Sequence, residues 1–216
     1  MGKPISPRRS YDSTRRQASA AETRRRILDA AYKLFTQSGY AAVTMQAIAD
    51  EAGVAMQTIY SIFKNKPRVL VELFNVSSAV PNEAHVPVPQ RAGPRAMAAE
   101  PDQRRQLEMF ARIVADNLTG AAPISEIMID AARSERDIQT ILERLNIQRL
   151  EHMTLAVEQI AAHGPFRSGV DATSARDIVW TLTSPEVFLL LTRNRGWSKD
   201  QYAAWLADTL TRSLLI

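Results

Sequence analysis

The sequence contains no cysteine, which excludes disulfide bonds and thiolate metal sites from this chain. Its three histidines, His85, His152 and His163, do not have the spacing of a histidine metal site. No apolar run approaches the ~20 residues that a membrane-spanning helix needs. The basic N-terminus also lacks the apolar core of a signal peptide. We therefore expect a soluble cytoplasmic protein without a metal or other cofactor and without a membrane partner.

Catalytic motifs are missing as well. The chain has no glycine-rich phosphate loop, no nucleophile elbow and no HExxH segment, so we expect no enzymatic activity. No segment alternates apolar and polar residues as a strand does, and there is no internal repeat. The sequence therefore predicts an all-α fold.

Positive charge is concentrated at the N-terminal end. The 216 residues carry a net charge of +4, but residues 1–68 contain 12 Lys and Arg against 5 Asp and Glu. Residues 69–216 contain 15 basic and 18 acidic residues. This asymmetry indicates a polyanionic partner for the N-terminal end alone. The alternative is a basic tail that serves solubility.

Residues 44–66 have the pattern of two short helices joined by a turn. The apolar residues of the first helix share one face, and Gly53 can adopt the positive φ that ends it. Ile59 and Phe63, four residues apart, give the second helix its own apolar stripe. A helix-turn-helix, whose second helix enters the DNA major groove, has this arrangement. Periodicity alone leaves open an ordinary helical hairpin with a solvated outer face.

Particular residues at fixed offsets favour the first interpretation. They are Gly39-Tyr40, Thr44, Ile48-Ala49-Asp50-Glu51-Ala52-Gly53-Val54, Thr58-Ile59-Tyr60, Phe63 and Lys66. This pattern resembles the DNA-binding domain of the TetR (tetracycline-repressor) family. The resemblance implies a homodimeric transcriptional regulator that binds double-stranded DNA at a pseudo-palindromic operator. It further implies a repressor that a small hydrophobic effector releases from DNA.

Roles in DNA binding follow from residue type. Gln57 can make a bidentate contact with adenine, and Thr58 can contact a thymine methyl group. Thr44 is expected to cap the first helix of the motif and to offer its hydroxyl to a phosphate. Tyr60 and Lys66 match phosphate contacts of the family that the chain resembles. The predicted DNA-binding residues are Thr44, Gln57, Thr58, Tyr60, Ser61, Lys64 and Lys66.

The helix before the motif carries a local conflict. A capping box of Ser19 and Glu22 predicts its start. Residues 24–26 are three arginines in its first turns, where the helix dipole disfavours positive charge. Nearby DNA phosphates would resolve the conflict, and a solvated charge run is the alternative.

The chain divides into three predicted parts. Residues 1–18 form a disordered basic arm, residues 19–66 a three-helix DNA-binding domain, and residues 67–216 a helical domain for ligand binding and dimerisation. Within the last, residues 80–101 contain five of the eleven prolines and predict a mobile loop.

Helix ends in the third part are predicted from glycine, proline and capping residues. One helix ends at Gly120, and a short one begins after Pro123. A long helix covers about residues 135–162, and another covers about 172–193 with a kink at Pro185. The last helix begins at the capping box of residues 198–201.

The last helix carries a broad apolar stripe. In the family that the chain resembles, the last two helices of each subunit build a four-helix dimer interface. We therefore predict a dimer interface formed by Trp205, Leu206 and Leu210. The alternative is that this helix closes the core of the monomer.

A mixture of apolar residues and a few polar ones indicates an effector pocket in the same domain. The same residues at helical spacing would also suit an ordinary core. The predicted ligand contacts are Phe110, Ile113, Asn117, Met128, His152, Trp180 and Phe188.

Two rival functions remain open at this point. One is a DNA-binding protein that responds to no ligand. The other is an α-helical enzyme or carrier with an appended basic tail.

Overall fold

A computed structural model of the protein describes residues 10–78 and 86–216, with side chains from residue 15 onward. All regular structure in these residues is helical, which confirms the all-α prediction. A 3₁₀ turn at Val88–Gln90 and a π-helical turn at Leu190–Asn194 accompany the α-helices. These are α1 (Ser10–Ala42), α2 (Met45–Ala52), α3 (Met56–Phe63), α4 (Lys66–Ser77), α5 (Ala92–Ala98), α6 (Gln103–Ala131), α7 (Arg136–Ala161), α8 (Ala172–Leu182), α9 (Pro185–Leu189) and α10 (Lys199–Leu214).

The chain forms two units, the N-terminal unit up to Leu73 and the C-terminal unit from Phe74 onward. The boundary lies inside α4. The N-terminal unit has its own core, which α1, α2 and α3 supply through Ile27, Ala31, Phe35, Ile48, Ala49, Ile59 and Phe63. In the C-terminal unit, α6 packs on α5, α7, α9 and α10, around a core that includes Leu107, Phe110, Leu118, Ile160, Val179, Tyr202 and Leu206.

Helix α1 starts earlier than the sequence predicts. Residues 10–18, assigned to a disordered arm, are helical, while residues 1–9 lie outside the described residues. Ser19 is therefore an interior residue whose carbonyl accepts a hydrogen bond from Thr23 Oγ1 at 2.9 Å, and the predicted cap is wrong. At the other end Gly39 interrupts the helix at φ 76° and ψ 162°.

The proline-rich stretch contains a helix that the sequence analysis missed. Residues 79–85 are outside the described part, but α5 occupies Ala92–Ala98. Pro94 is the third residue of α5, where an N–H has no partner within the helix, so proline is tolerated. The mobility of residues 80–101 stays a prediction.

Helix α6 continues through both predicted helix ends. Gly120 and Pro123 lie inside it, so the break predicted there is wrong. A Cβ atom on Gly120 would lie 2.2 Å from the carbonyl oxygen of Ser77, the last residue of α4. Gly120 therefore permits a close approach of two helices and does not end one.

The last helices follow their capping residues. Ser184 caps α9 by accepting a hydrogen bond from the Val187 N–H, so helix α8 ends before Pro185 instead of kinking through it. The capping box of Ser198 and Gln201 is present at the start of α10, as predicted. Among the described residues, no helix has the length and apolar character needed to cross a membrane.

Candidate functional site

The helix-turn-helix forms with the predicted local geometry. Thr44 Oγ1 accepts a hydrogen bond from the Ala47 N–H at 3.1 Å and caps α2, as predicted. Gly53 ends α2 in the left-handed conformation, at φ 62° and ψ 42°, and donates to the Asp50 carbonyl at 3.1 Å. Ala55 precedes α3 without a side-chain cap. The turn therefore fixes the direction in which α3 leaves α2.

An arginine that no motif singled out stabilises this turn. Arg26 on α1 donates from Nη2 to the carbonyl oxygens of Ala52 and Gly53, the latter at 3.0 Å. A Cβ at Gly53 would lie 3.1 Å from the same nitrogen. Arg26 thus satisfies carbonyls that the end of α2 leaves without helical partners.

The two arginines beside it are also engaged within the N-terminal unit. Arg24 pairs with Glu72 at 2.8 Å and lies 5.0 Å from the centre of the Phe63 ring. Arg25 pairs with Glu22 at 2.7 Å and with Asp29 at 2.9 Å. Because α1 begins at Ser10, residues 24–26 lie beyond its first turns, and the expected conflict with the helix dipole does not arise.

Helix α3 offers a polar face to solvent. Gln57, Tyr60, Ser61 and Lys64 are exposed, and Thr58 is half-buried. Their side chains supply an amide, a phenol, a hydroxyl and an ammonium, which can bind base edges and phosphates in a major groove. The DNA contacts themselves stay a prediction.

The Lys66 side chain is bound within the N-terminal unit and is not free to turn toward a DNA phosphate with all three of its N–H donors. Its ammonium donates to the carbonyl oxygens of Tyr40 and Val43, both at 3.0 Å, and lies 4.1 Å from the centre of the Tyr40 ring. Two of its three N–H donors therefore stabilise the end of α1, and a predicted phosphate contact would use the third.

A cavity of about 490 Å³ lies in the C-terminal unit, between α6, α7 and α8. This size suits a small organic molecule. Five of the seven predicted ligand residues line it: Phe110, Ile113, Asn117, His152 and Trp180. The other two are buried elsewhere. Met128 is fully buried in α6, and Phe188 packs its ring against Tyr202 with centroids 4.9 Å apart.

Two arginines that the sequence analysis missed also line the cavity. Arg149 stacks on the Trp180 ring at 3.8 Å and donates from Nη2 to the Trp180 carbonyl and, at 3.1 Å, to Thr183 Oγ1. Burial lowers the pKa of Arg149 to about 10. Arg91, only 9% exposed, donates to the carbonyls of Val86 at 3.1 Å and Ser78 at 3.5 Å.

His152 faces the same cavity. Burial lowers its pKa, and the positive charge of Arg91 lowers it further, while Glu151 acts in the opposite direction. The imidazole is therefore neutral at pH 7 and can donate or accept a hydrogen bond.

The predicted dimer interface needs a correction. Leu206 and Leu210 are fully buried inside a single chain, because α10 turns this face toward α6. They cannot also contact a second subunit. Trp205 is partly exposed and contacts the rings of Trp197 and Tyr202, with centroids 6.0 and 5.9 Å away. It alone of the three remains a candidate.

Comparison with known proteins finds a matching family and several similar regulators. The family described as bacterial regulatory proteins, tetR family, matches residues 27–73. The transcriptional regulator AqdR of Rhodococcus erythropolis is 29% identical over 176 residues, which cover 80% of this chain and 76% of AqdR. Two other curated regulators match over only 48 and 50 residues, so the chain spans 25% and 23% of their length.

Solved structures share the fold over most of the chain. NalD of Pseudomonas aeruginosa, the secondary repressor of a multidrug efflux pump, superposes with a TM-score of 0.68 at 22% identity, over 92% of this chain and 98% of NalD. The regulator FadR of Bacillus subtilis, in complex with stearoyl-CoA, gives 0.64 at 18% identity, over 86% and 96%. The helix-turn-helix of the N-terminal unit therefore lies within the segment that matches the tetR family of bacterial regulatory proteins, and the chain shares its fold with solved regulators such as NalD and FadR.

Proposed function

We propose that this chain is a homodimeric repressor that binds a pseudo-palindromic operator through α3 and leaves it when a small molecule fills the cavity. The observation that carries the proposal is the division of labour between two units. The N-terminal unit holds a capped helix-turn-helix with a polar outer face, and the C-terminal unit holds a cavity of about 490 Å³. NalD, a repressor, and FadR, crystallised with stearoyl-CoA, support the two halves of the proposal.

In this proposal α4 connects the ligand to DNA. The helix runs without interruption from Lys66, beside the helix-turn-helix, to Ser77 in the C-terminal unit. Phe74, Asn75 and Ser78 line the cavity, so a ligand there contacts the end of α4 and the residue after it. A ligand shifts DNA affinity only if it binds two arrangements of the dimer with different affinities. The contact with α4 is where such a difference would arise.

A dimer is proposed because a pseudo-palindromic operator has two half-sites. Two half-sites about one helical turn apart require two copies of α3 related by a two-fold axis. Partly exposed apolar residues on α8 and α10 supply a surface for this contact, and we assign it to Ile178, Leu182 and Trp205. Since its partner is genomic DNA, the protein would act in the cytoplasm.

Selection from random double-stranded DNA tests the DNA-binding half. The full chain should enrich an inverted repeat with half-sites about 10 base pairs apart. Gln57→Ala should lose preference at one base step in each half-site and bind the selected duplex about 1–3 kcal/mol more weakly. Gln139→Ala, an exposed glutamine on α7, is the matched control and should behave as wild type. Enrichment of an identical motif by the Gln57 variant would remove this residue from the base contacts.

A further inference from the structure

The charges that line the cavity are unbalanced. Its walls are largely apolar, with Ile113, Val114 and Met153 among them, yet two arginines face the same space. Among the residues that the structure describes, the one carboxylate in the lining is that of Glu186, an exposed residue in the first turn of α9. Within the described ranges, neither Arg91 nor Arg149 has a carboxylate oxygen within 4 Å, although ion pairs occur elsewhere on the surface. The described part of the lining therefore carries a surplus of positive charge among apolar side chains.

Arg149 is positioned and not free to move away. The stack on Trp180 holds one face of its guanidinium group, and the bonds to the Trp180 carbonyl and Thr183 Oγ1 hold one end. The described bonds use Nη2 only, one of its three nitrogens. A guanidinium group offers five N–H donors in a rigid plane, an arrangement that matches a carboxylate. The remaining donors are available to a ligand.

Arg91 is the second positively charged residue of the lining, and it is hydrogen-bonded to the residue that follows α4. The described bonds use its Nε and Nη1, and the bond to the Ser78 carbonyl is long, at 3.5 Å. A bond of that length is weak and is readily exchanged for a charge-assisted one of ordinary length. Ser78 directly follows the last residue of α4. An anion that takes donors from Arg91 would therefore loosen the contact that holds the end of α4.

We propose that the effector is an amphipathic organic anion, a carboxylate on an apolar body, whose carboxylate binds Arg149 and Arg91 inside the cavity. This inference rests on the proposed release of DNA by a cavity ligand, and it adds the chemical class of that ligand. A neutral ligand would leave the buried Arg91 and the half-buried Arg149 without a carboxylate from the described lining within 4 Å, whereas a carboxylate on the ligand offsets their charge. The burial that lowers the pKa of Arg149 reflects the same cost of an uncompensated charge.

Matched ligands test the inference directly. Decanoate, 1-decanol and decylamine share one alkyl chain, while 4-phenylbutyrate and its alcohol and amine share an aromatic body. Calorimetry measures the affinity of each compound for the full chain, and fluorescence anisotropy of the selected duplex measures DNA release. We expect at least one acid to bind roughly ten-fold or more tightly than its alcohol, and its amine to bind most weakly.

Substitutions of the lining residues test whether the arginines cause the preference for acids over alcohols. Arg149→Met should lower the acid-over-alcohol preference to near unity while leaving alcohol binding unchanged, and Arg149→Lys should retain part of it. Glu186→Gln removes, at an exposed position, the one carboxylate of the described lining and should tighten acid binding several-fold. Arg144→Gln, on the exposed face of α7, should change nothing. Should Arg149→Met fail to fold, Arg91→Met and Glu186→Gln supply the same comparison.

The outcomes separate this inference from the proposed function. Release of DNA by an alcohol or amine as effectively as by its acid would overturn the anionic effector and keep ligand release. Acids that bind equally well to wild type and to the Arg149 and Arg91 variants would also overturn it. Failure of every compound to bind or to release DNA would count against both.

Discussion

Leu206→Asp is expected to prevent folding of the C-terminal unit, whereas Trp205→Glu, one residue away, is expected to leave it folded and monomeric. Leu206 is fully buried between α10 and its neighbours, so an aspartate there would be a charge without a partner. Such a burial costs several kcal/mol, comparable with the roughly 5–15 kcal/mol that stabilises a typical domain. Trp205 is only partly buried, and the loss of a central interface tryptophan typically costs 2 kcal/mol or more of binding energy.

Circular dichroism and sedimentation distinguish these two outcomes. The Leu206 variant should lose helical signal or aggregate, and Leu206→Met, which conserves volume, should fold normally as its control. The Trp205 variant should keep its helical signal and sediment as a monomer. A folded, dimeric Leu206→Asp protein would show that the assignment of this residue to the monomer core is wrong. A Trp205→Glu protein that remains dimeric would place the interface elsewhere.

Gly120→Ala should destabilise the protein, the reverse of what this change does in an ordinary helix. In an exposed helix interior, alanine is about 1 kcal/mol more favourable than glycine. Here the new Cβ would lie 2.2 Å from the Ser77 carbonyl oxygen and 3.1 Å from the carbonyl carbon. Backbone atoms of two helices must then move apart, and overpacking of this kind typically costs about 1–3 kcal/mol. Urea unfolding should show a lower midpoint with an unchanged slope.

Gly93→Ala provides the control for that change. Gly93 also lies in a helix, but its Cβ would meet only the side chain of Ile113, at 3.3 and 3.4 Å. A side chain can shift where a backbone cannot, so this variant should have nearly wild-type stability. If the two alanine variants unfold at the same urea concentration, the close approach of α4 and α6 at Gly120 is not a constraint.

The sequence was most informative where structure is decided locally. The cap at Thr44, the left-handed Gly53 and the apolar stripe of α3 all depend on neighbours within a few residues. Each has a side-chain or backbone preference that can be recognised without knowing the fold. The N-terminal unit was therefore predicted with most of its helix ends.

Errors arose where a distant contact decides. Gly120 was interpreted as a helix end because the sequence does not show that Ser77 packs against it. Leu206 and Leu210 form an apolar stripe, but periodicity does not say whether the same chain or a second one covers that stripe. In both cases tertiary packing overrides the local signal.

The lining of the cavity was predicted only in part, because it too depends on contacts between distant segments. Aromatic and aliphatic residues attract attention by type, and five of the seven chosen do line it. Arg91 and Arg149 belong to no motif, and a single arginine on a helix is usually a surface residue. Only the fold shows that one of them stacks on Trp180 inside an apolar cavity.

In the proposed function, occupancy of the cavity and DNA binding are thermodynamically linked. The most direct measurement is the dissociation constant of the selected duplex, by fluorescence anisotropy, with and without a compound that calorimetry shows to saturate the cavity. We expect the compound to raise this constant about ten-fold or more, a coupling of about 1.4 kcal/mol, and the duplex to weaken binding of the compound by the same factor. A compound that saturates the cavity and leaves the affinity for the duplex unchanged would contradict it.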